Sequence, residues 1–375
     1  MTTSTIENPS QPAVNKVLSP VRDFIESRGF PTQRHAYGLD TAFSAEAGSG
    51  GRLVILCAEY DALPGLGHGC GHNLIATAAV AAFMGAAKAL LDLGVAGRVR
   101  ILGTPGEEGG GGKVKLIEAG AFSEDVAAAI MCHALPLHQI KDGWSGTAGF
   151  RCIASRRFHV EFRGKNAHAG QEPWNGVNAL DAAVGAYTAA SMLRQQIRPD
   201  DRVQAVIEDG GAAPNIIPDY TRMNWGLRSP TIQRVDELCE RVKACVQGAA
   251  TAAGCTVNYK DAPSYMNLKV NDTLCKQYMD EMGLLGESIL YQDDQPSSAG
   301  TDMGNVSHVV PSFHGMFGIP APPDVPVHSR GFARAASTGE AHKAAIKSGK
   351  AMAMMVMKIL LDADIAARIR SDFQA

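Results

Sequence analysis

The chain has 375 residues, of which 45% are hydrophobic and 19% are charged, and its 35 basic residues nearly balance 38 acidic ones. The hydrophobic fraction excludes a disordered chain, and 40 glycines without a fixed period exclude collagen. A net charge of −3 with no block of lysine or arginine argues against nucleic acid or an anionic membrane as the main partner. We expect roughly two domains and a small-molecule ligand.

The sequence favours a cytoplasmic protein with reduced thiols. Its start shows no basic region followed by an apolar one, as a secretory signal would have. No apolar stretch runs uninterrupted for the roughly 18 residues that a membrane-spanning helix needs, so we expect no membrane partner. The eight cysteines are ordinary in number for this length and include no C-x-x-C pair.

The first predicted elements are an arm, a buried strand and a helix. Residues 1–20 are polar and contain prolines, which predicts a loose arm, and 21–29 are compatible with a short helix. The apolar run 52–58 has the length and composition of a strand covered on both faces. A glycine-rich loop, 59–73, leads from it into an alanine-rich helix predicted over 74–93.

The same order of strand, polar loop and helix then recurs. Strands are predicted over 99–103 and 126–131 with a helix near 113–119 between them, and a long helix is predicted at 338–361. This alternation is typical of an α/β fold, a mostly parallel sheet with helices on both faces. In such a sheet the site lies beyond the carboxyl ends of the strands, where the unusual polar residues of this sequence also fall.

The middle of the chain has an α+β pattern. Its predicted elements are a strand, a helix, two strands, a helix and a strand, at 157–163, 176–193, 203–208, 221–228, 235–253 and 256–260. This β-α-β-β-α-β order is that of a ferredoxin-like domain. We therefore predict a catalytic domain of residues 1–150 and 265–375, with a ferredoxin-like domain of residues 151–264 inserted into it.

Two pairs of polar residues follow the first two strands. Cys70 and His72 lie among glycines that allow their side chains to approach each other. Glu107 and Glu108 precede four glycines. One carboxylate can bind a cation while its neighbour keeps a proton-transfer role. Taken singly, however, a cysteine is often a small buried hydrophobe, and an acidic pair is usually a solvated turn.

Histidines supply the remaining candidates. His133 follows the third strand, and His328 follows a proline-rich loop that can fix a ligand position. A lone histidine after a strand is more often structural. Spacing alone does not rank His328 above His308, His314 and His342.

Together these residues indicate a metal site. Thiolate, imidazole and carboxylate at successive strand ends suit zinc, manganese or a similar divalent ion. With one ligand shared, five residues suffice to hold two ions about 3.5–4 Å apart, as in hydrolytic two-metal sites. The alternative is a nucleotide-binding fold with incidental histidines. Its P-loop pattern fails at 106–113, because Val114 replaces the Ser or Thr that would hold magnesium.

Six stretches form a recognisable set in a fixed order. They are Glu59-Tyr-Asp-Ala-Leu-Pro, Gly67-His-Gly-Cys-Gly-His-Asn-Leu-Ile-Ala76, Gly106-Glu-Glu-Gly-Gly-Gly-Gly-Lys113, Gly164-Lys-Asn-Ala-His-Ala169, Ala213-Pro-Asn-Ile-Ile-Pro218 and Gly300-Thr-Asp-Met-Gly-Asn-Val-Ser-His308. The chain thereby resembles the aminoacylase-1-like metallopeptidases over residues 20–360. The similar branch contains bacterial aminobenzoyl-glutamate hydrolase, plant indole-acetyl-amino-acid hydrolases and the mammalian β-alanyl dipeptidase.

The resemblance implies a ligand set for two divalent ions. Cys70 would bridge them, Glu108 and His328 would complete one site, and His72 and His133 would complete the other. Zinc or manganese are the expected metals. The resemblance also implies a homodimer formed through the inserted domain, which would act as a lid.

The resemblance implies five further roles. Asp61 would orient a metal ligand, and Glu107 would be the general base that takes a proton from the attacking water and passes it to the leaving amine. His168 would reach into the partner subunit's site and stabilise the oxyanion. Asn215 and Arg228 would bind the substrate carboxylate.

Two departures from the family pattern stand out. Relatives usually carry an N-terminal helical segment with a His-x-x-Pro-Glu-like stretch, where this chain has the proline-bearing residues 8–12 and a short arm. We expect this difference to leave the candidate ligands untouched but to cost one wall of the pocket or some stability. Asn73 replaces an aspartate found in many relatives, which favours the dipeptidase-like branch.

The sequence therefore predicts a dinuclear-metal-dependent amidohydrolase that cleaves small N-acyl amino acids or dipeptides bearing a free carboxylate. One alternative is the same site used in biosynthesis, for deacylation or for amide formation or cyclisation. Another is a protein that binds a ligand through metal without turnover. The presence of Glu107 in addition to a complete set of candidate ligands weighs against this last alternative, because a protein that only binds needs no base.

Overall fold

The structure, a computed structural model, describes residues 11–294 and 296–375. Its strands are β1 (Gln33–Arg34), β2 (Phe43–Ser49), β3 (Leu53–Ala58), β4 (Gly97–Gly103), β5 (Val126–Pro136), β6 (Gly146–Thr147), β7 (Ala154–Arg163), β8 (Ala167–His168), β9 (Arg202–Asp209), β10 (Ile216–Ile217), β11 (Tyr220–Ser229), β12 (Thr256–Asp261), β13 (Ile289–Leu290) and β14 (Ser312–Ile319). Its helices are α1 (Gln11–Ser27), α2 (His72–Leu93), α3 (Gly112–Glu118), α4 (Ala179–Met192), α5 (Ile232–Ala253), α6 (Asp272–Leu284), α7 (Met303–Ser307), α8 (Arg330–Ala335), α9 (Gly339–Leu361) and α10 (Ala363–Gln374).

The described chain divides into two compact units, each with its own hydrophobic core. The first unit runs up to Arg151 and includes Leu268–Ser297 and Asp302–Ala375. The second consists of Cys152–Asn267 and Ser298–Thr301. Along the sequence, the second unit therefore interrupts the first.

The first unit is built on an eight-stranded sheet with the order β1-β2-β4-β3-β5-β14-β6-β13. The central strands β4, β3, β5 and β14 pair in parallel, whereas β1, β2 and β6 join the sheet through antiparallel pairs. Every residue of β3 is buried, as expected of a strand covered on both faces. The prediction of an α/β fold with a mostly parallel sheet is confirmed.

Parallel pairing brings the ends of β3, β4 and β5 to one edge of the sheet. Ala58, the last residue of β3, pairs with Gly103, the last residue of β4, so the loops that follow leave the sheet side by side. β5 is longer than predicted, because β14 continues the ladder and pairs with it as far as Pro136. The expectation that His133 follows a strand is therefore wrong, since it lies within β5.

The loose arm predicted over 1–20 is wrong from residue 11 onwards, where α1 begins and accommodates Pro20 in its interior. Residues 1–10 lie outside the described part. Leu18, Val21 and Ile25 recur at helical spacing, and Leu18 and Ile25 are buried in the core of the first unit. Burial of this face stabilises the helix and offsets the proline, which sequence patterns treat as a helix breaker.

Among the described residues, α2 is the one helix that is long and apolar enough to cross a membrane. More than half of that stretch, 56%, is buried inside the protein, where α2 packs closely on α9. At the contact, a Cβ on Gly349 would lie 2.6 Å from the carbonyl oxygen of Ala78. The small, apolar composition of α2 thus has an explanation in core packing.

The second unit contains a four-stranded antiparallel sheet with the order β12-β7-β11-β9. The helices α4 and α5 pack on each other and against β7 and β11. Buried and half-buried residues alternate along β11, and its buried face includes Trp225, stacked on Phe158 of β7. Apart from the short pair β8 and β10, the elements follow in the order β-α-β-β-α-β.

We expect Ile25→Ala to lower the free energy of unfolding by about 2–4 kcal/mol, because it removes buried volume where α1 enters the core. The neighbouring Phe24 is 42% exposed, and Phe24→Ala is the matched control, with an expected loss of less than about 1 kcal/mol. Urea unfolding followed by circular dichroism measures both losses. Equal losses would contradict the packing of α1.

Candidate metal centre

The loop between β3 and α2 brings Cys70 and His72 next to each other. Gly71 between them has a left-handed backbone (φ +85°), which glycine adopts without strain. His72, expected in a loop, is the first residue of α2 and is fully buried. Its Nδ1 lies 3.1 Å from Oδ1 of Asp61, whereas its Nε2 is buried without a hydrogen-bond partner of good geometry. The Nε2 atom is therefore the one left for a ligand.

Asp61 connects this loop to the next one. Its Oδ1 accepts a hydrogen bond from His72, and its Oδ2 accepts one from the backbone N–H of Glu108 at 3.0 Å. Burial alone would raise the pKa of Asp61, but His72 and these hydrogen bonds outweigh burial and hold the pKa well below its ordinary value. An ionised Asp61 fixes the ring orientation and the tautomer of His72.

The loop after β4 places two adjacent carboxylates in different surroundings. Glu107 is buried, and its Oε2 lies 3.9 Å from Nε2 of His72. Glu108 is half-buried, and its Oε1 lies 3.2 Å from Nε2 of His328. Burial, reinforced by the charge of Glu59, raises the pKa of Glu107 well above its ordinary value. The two carboxylates are thus suited to different tasks.

His133 reaches the same thiol from β5. Its Nδ1–H donates a hydrogen bond to the carbonyl of Ala134 at 2.8 Å, and its Nε2 lies 3.4 Å from Sγ of Cys70. Burial, with a smaller contribution from His72, lowers the pKa of His133 to about 4. The ring is therefore neutral near pH 7, as a metal-binding imidazole must be.

His328 lies before α8 and has a left-handed backbone (φ +62°), which is uncommon for a residue with a side chain. Its backbone N–H donates to the carbonyl of Gly69 at 2.7 Å, which holds it beside the cysteine loop. Its Nε2 lies 3.3 Å from Sγ of Cys70 and 3.2 Å from Oε1 of Glu108.

Among the histidines that spacing did not rank, the structure places His328 at the thiol. His314 is buried in β14 and stacks on His133 with ring centroids 6.2 Å apart. His342 is exposed on α9, and His308 follows α7. None of these three belongs to a group of possible metal ligands formed by the described residues.

Two groups of possible ligand atoms share Cys70, and within each group the atoms lie within 4.8 Å of one another. Cys70, His72 and His133 form the histidine subsite, and Cys70, Glu108 and His328 form the carboxylate subsite. Burial raises the pKa of the Cys70 thiol to about 12, so the thiol needs a strong positive charge beside it to ionise. A divalent cation held by either group would provide such a charge, and this donor set fits zinc-like ions.

A third group, Glu59 with His72 and Glu107, has a buried lysine against it. Nζ of Lys113 lies 2.5 Å from Oε1 of Glu59 and 2.6 Å from Oδ1 of Asp302. Burial opposes the charge of Lys113, but the two carboxylates outweigh burial and raise the pKa of Lys113 well above its ordinary value. The sequence does not reveal this ion-pair triad, because Lys113 and Asp302 are 189 residues apart and no local pattern connects them.

Three of the predicted residues lie in the second unit. His168 is exposed in β8, and its Nδ1 accepts hydrogen bonds from two backbone N–H groups at 3.1 and 3.2 Å, which leaves the proton on Nε2. Asn215 is exposed just before β10, the partner strand of β8, and its carbonyl accepts the N–H of Ala169 at 3.0 Å. Arg228 is half-buried on β11, with Nη1 2.9 Å from the carbonyl of Ser298. The structure thus brings His168 and Asn215 together and places Arg228 on the other sheet of this unit.

Comparison with known proteins identifies the family. The family model described as Peptidase family M20/M25/M40 matches residues 55–335. The Xaa-Arg dipeptidase of Mus musculus is 39% identical over 351 residues, which cover 90% of this chain and 79% of that protein. A p-aminobenzoyl-glutamate hydrolase chain of Escherichia coli K12 is 33% identical over 286 residues, which cover 72% of this chain and 55% of that protein.

A solved structure shows the same fold. A Bacillus subtilis protein, described as a dinuclear metal binding peptidase from the M20 family, superposes with a TM-score of 0.64 at 20% identity, over 92% of each chain. The family model and the mouse relative confirm the resemblance found in the motifs. The chain belongs to peptidase family M20/M25/M40 and is a metal-dependent hydrolase.

Proposed function

We propose that the protein is a dinuclear-metal amidohydrolase that cleaves the amide bond of dipeptides or small N-acyl amino acids with a free carboxylate. The observation that carries the proposal is the pair of ligand groups that share Cys70, with the carboxylate of Glu107 beside one of them. Two relatives support the substrate class, because one is named a dipeptidase and the other a hydrolase of p-aminobenzoyl-glutamate.

The five residues of the two subsites are the ones we assign to metal binding. Their thiol, imidazole and carboxylate donors favour zinc or manganese. When bound, two such ions polarise the amide carbonyl and lower the pKa of water towards about 7. Asp61 holds the ring of His72 in the orientation that this requires.

Glu107 is the residue we assign to proton transfer. Neither of the groups that share Cys70 includes it, yet its carboxylate is buried 3.9 Å from the imidazole of His72. From there it takes a proton from the attacking water and delivers it to the leaving amine. We assign oxyanion stabilisation in the partner subunit's site to His168, and binding of the substrate carboxylate to Asn215 and Arg228.

A homodimer formed through the second unit completes the proposal. β9 is an edge strand of its sheet, and an edge strand readily pairs with another chain. Large apolar side chains are exposed on β9 and on α4: Val184, Tyr187, Met192, Val206 and Ile207. This apolar edge favours β9 and α4 over β12 as the surface for a second copy.

We also propose a cytoplasmic location. All eight cysteines are free thiols, and seven of them are buried. A protein without disulfides suits a reducing compartment.

Glu107→Gln should lower kcat by about 100-fold to 10,000-fold, because it removes the proton acceptor and keeps the shape of the side chain. Metal content and the unfolding temperature should stay unchanged. Hydrolysis is followed by liquid chromatography of the products, with Glu118→Gln, an exposed residue of α3, as the control. Wild-type turnover in Glu107→Gln would refute the assignment of the base.

Chelator treatment should abolish hydrolysis of a panel of dipeptides and N-acyl amino acids, and added Zn²⁺ or Mn²⁺ should restore it. Elemental analysis of the reconstituted protein should give two ions per chain. Cys70→Ser should reduce the binding of both ions, because the two subsites share its sulfur. Turnover that survives complete metal removal would contradict the proposed function.

Val206→Lys combined with Met192→Glu should convert the dimer to a monomer, because both changes place charge in the exposed apolar edge. Light scattering after gel filtration measures the mass. Thr256→Lys, an exposed position on the opposite edge strand β12, is the control and should remain dimeric. A wild-type monomer, or a dimer in all three proteins, would exclude this interface.

A further inference from the structure

A buried triad of charged side chains adjoins the histidine subsite. Nζ of Lys113 lies 2.5 Å from Oε1 of Glu59 and 2.6 Å from Oδ1 of Asp302, and all three side chains are buried. The backbone N–H of Lys113 also donates to Oδ2 of Asp302 at 2.9 Å. With two carboxylates and one ammonium, the triad carries one net negative charge in the interior, which is unfavourable unless a positive charge lies nearby.

The two carboxylates of the triad differ in what they face. Oε2 of Glu59 lies 3.5 Å from Nε2 of His72, the nitrogen that is left for a ligand. Both oxygens of Asp302 instead contact Lys113. Oδ1 lies beside its ammonium, and Oδ2 accepts a hydrogen bond from the backbone N–H of Lys113. Of the two carboxylates, Glu59 is therefore the one that presents negative charge to the histidine subsite.

The two subsites also differ in the charge of their own ligands. Besides the shared Cys70, the carboxylate subsite contains the anionic Glu108, whereas the histidine subsite contains only imidazoles, which bind metal in the neutral form. A fixed anion stabilises a nearby buried cation strongly, because the interior screens charge weakly. The carboxylate of Asp61 faces Nδ1 of His72, and Glu59 adds a second negative charge on the Nε2 side, where a bound cation would lie.

We propose that Glu59, held by Lys113, is a positioning residue that strengthens cation binding in the histidine subsite selectively. The inference rests on the dinuclear site proposed above. Lys113 has two effects on the carboxylates of the triad. Its ammonium engages Oε1 of Glu59, which fixes the carboxylate in place, and it keeps the two buried carboxylates from repelling each other.

The test compares two variants that remove one charge each from the same triad. In calorimetric titrations of metal-free protein with Zn²⁺, Glu59→Gln should weaken one of the two binding equivalents by roughly 10–100-fold and change the other by less than about threefold. Asp302→Asn is the matched control, because it lowers the charge of the triad equally but away from His72. It should change both equivalents by less than about threefold.

A third variant covers the case in which Glu59→Gln does not fold. Glu59→Asp keeps the negative charge but shortens the side chain by one methylene, which moves the charge away from His72. Zn²⁺ affinity should therefore fall less than in Glu59→Gln, and only in the same binding equivalent. Three outcomes overturn the proposal. The Glu59 variants weaken Zn²⁺ binding equally in both equivalents, Glu59→Gln and Asp302→Asn weaken it equally, or the Glu59 variants do not weaken it at all. A wild-type isotherm without a second equivalent refutes the dinuclear site itself, so the two failures are distinguishable.

Discussion

The carboxylate of Asp61 connects the first residue of α2 to the loop that follows β4. One of its oxygens accepts the Nδ1–H of His72, and the other accepts the backbone N–H of Glu108. A single carboxylate can span both because β3 and β4 end in register, at Ala58 and Gly103. The parallel ladder therefore sets the distance between the loops. Through its two hydrogen bonds, Asp61 then fixes the position of His72, in the histidine subsite, relative to Glu108, in the carboxylate subsite.

Burial of charge is the second constraint, and the glycine run after Glu108 makes it possible. A Cβ on Gly112 would lie 1.6 Å from the carbonyl oxygen of Pro105, so α3 can begin against the loop that follows β4 only with glycine there. Lys113 follows immediately and is fully buried, with its ammonium between two carboxylates. A buried ammonium without such partners would destabilise the fold, and so would the two buried carboxylates without the ammonium. The glycines therefore allow the close approach of α3 that places the lysine between its two carboxylates, and the two features serve one structural purpose.

Much of this architecture could be predicted because it follows from local patterns. The apolar run of β3 and the alanine-rich α2 were identified from composition and length, and the family from the ordered motifs. The part of α1 before residue 21 was missed because Pro20 dominates its local pattern, whereas the burial of Leu18 and Ile25 that stabilises the helix is tertiary. His133 was misplaced for the same reason, since β5 is extended by its pairing with β14. The ion pair of Lys113 with Asp302 was not predictable, because it joins residues 189 positions apart.

The shared thiol links subsites that differ in exposure. His72 is fully buried at the start of α2, whereas the side chain of His328 is 52% exposed on a loop. The left-handed backbone of His328 is held by the hydrogen bond from its N–H to Gly69, the residue before Cys70. This hydrogen bond ties His328 to the cysteine loop, and Nε2 of His328 lies 3.3 Å from Sγ of Cys70. The two subsites that share Cys70 are therefore supported by different means: His72 is positioned by the start of a buried helix, and His328 by a backbone hydrogen bond at the surface.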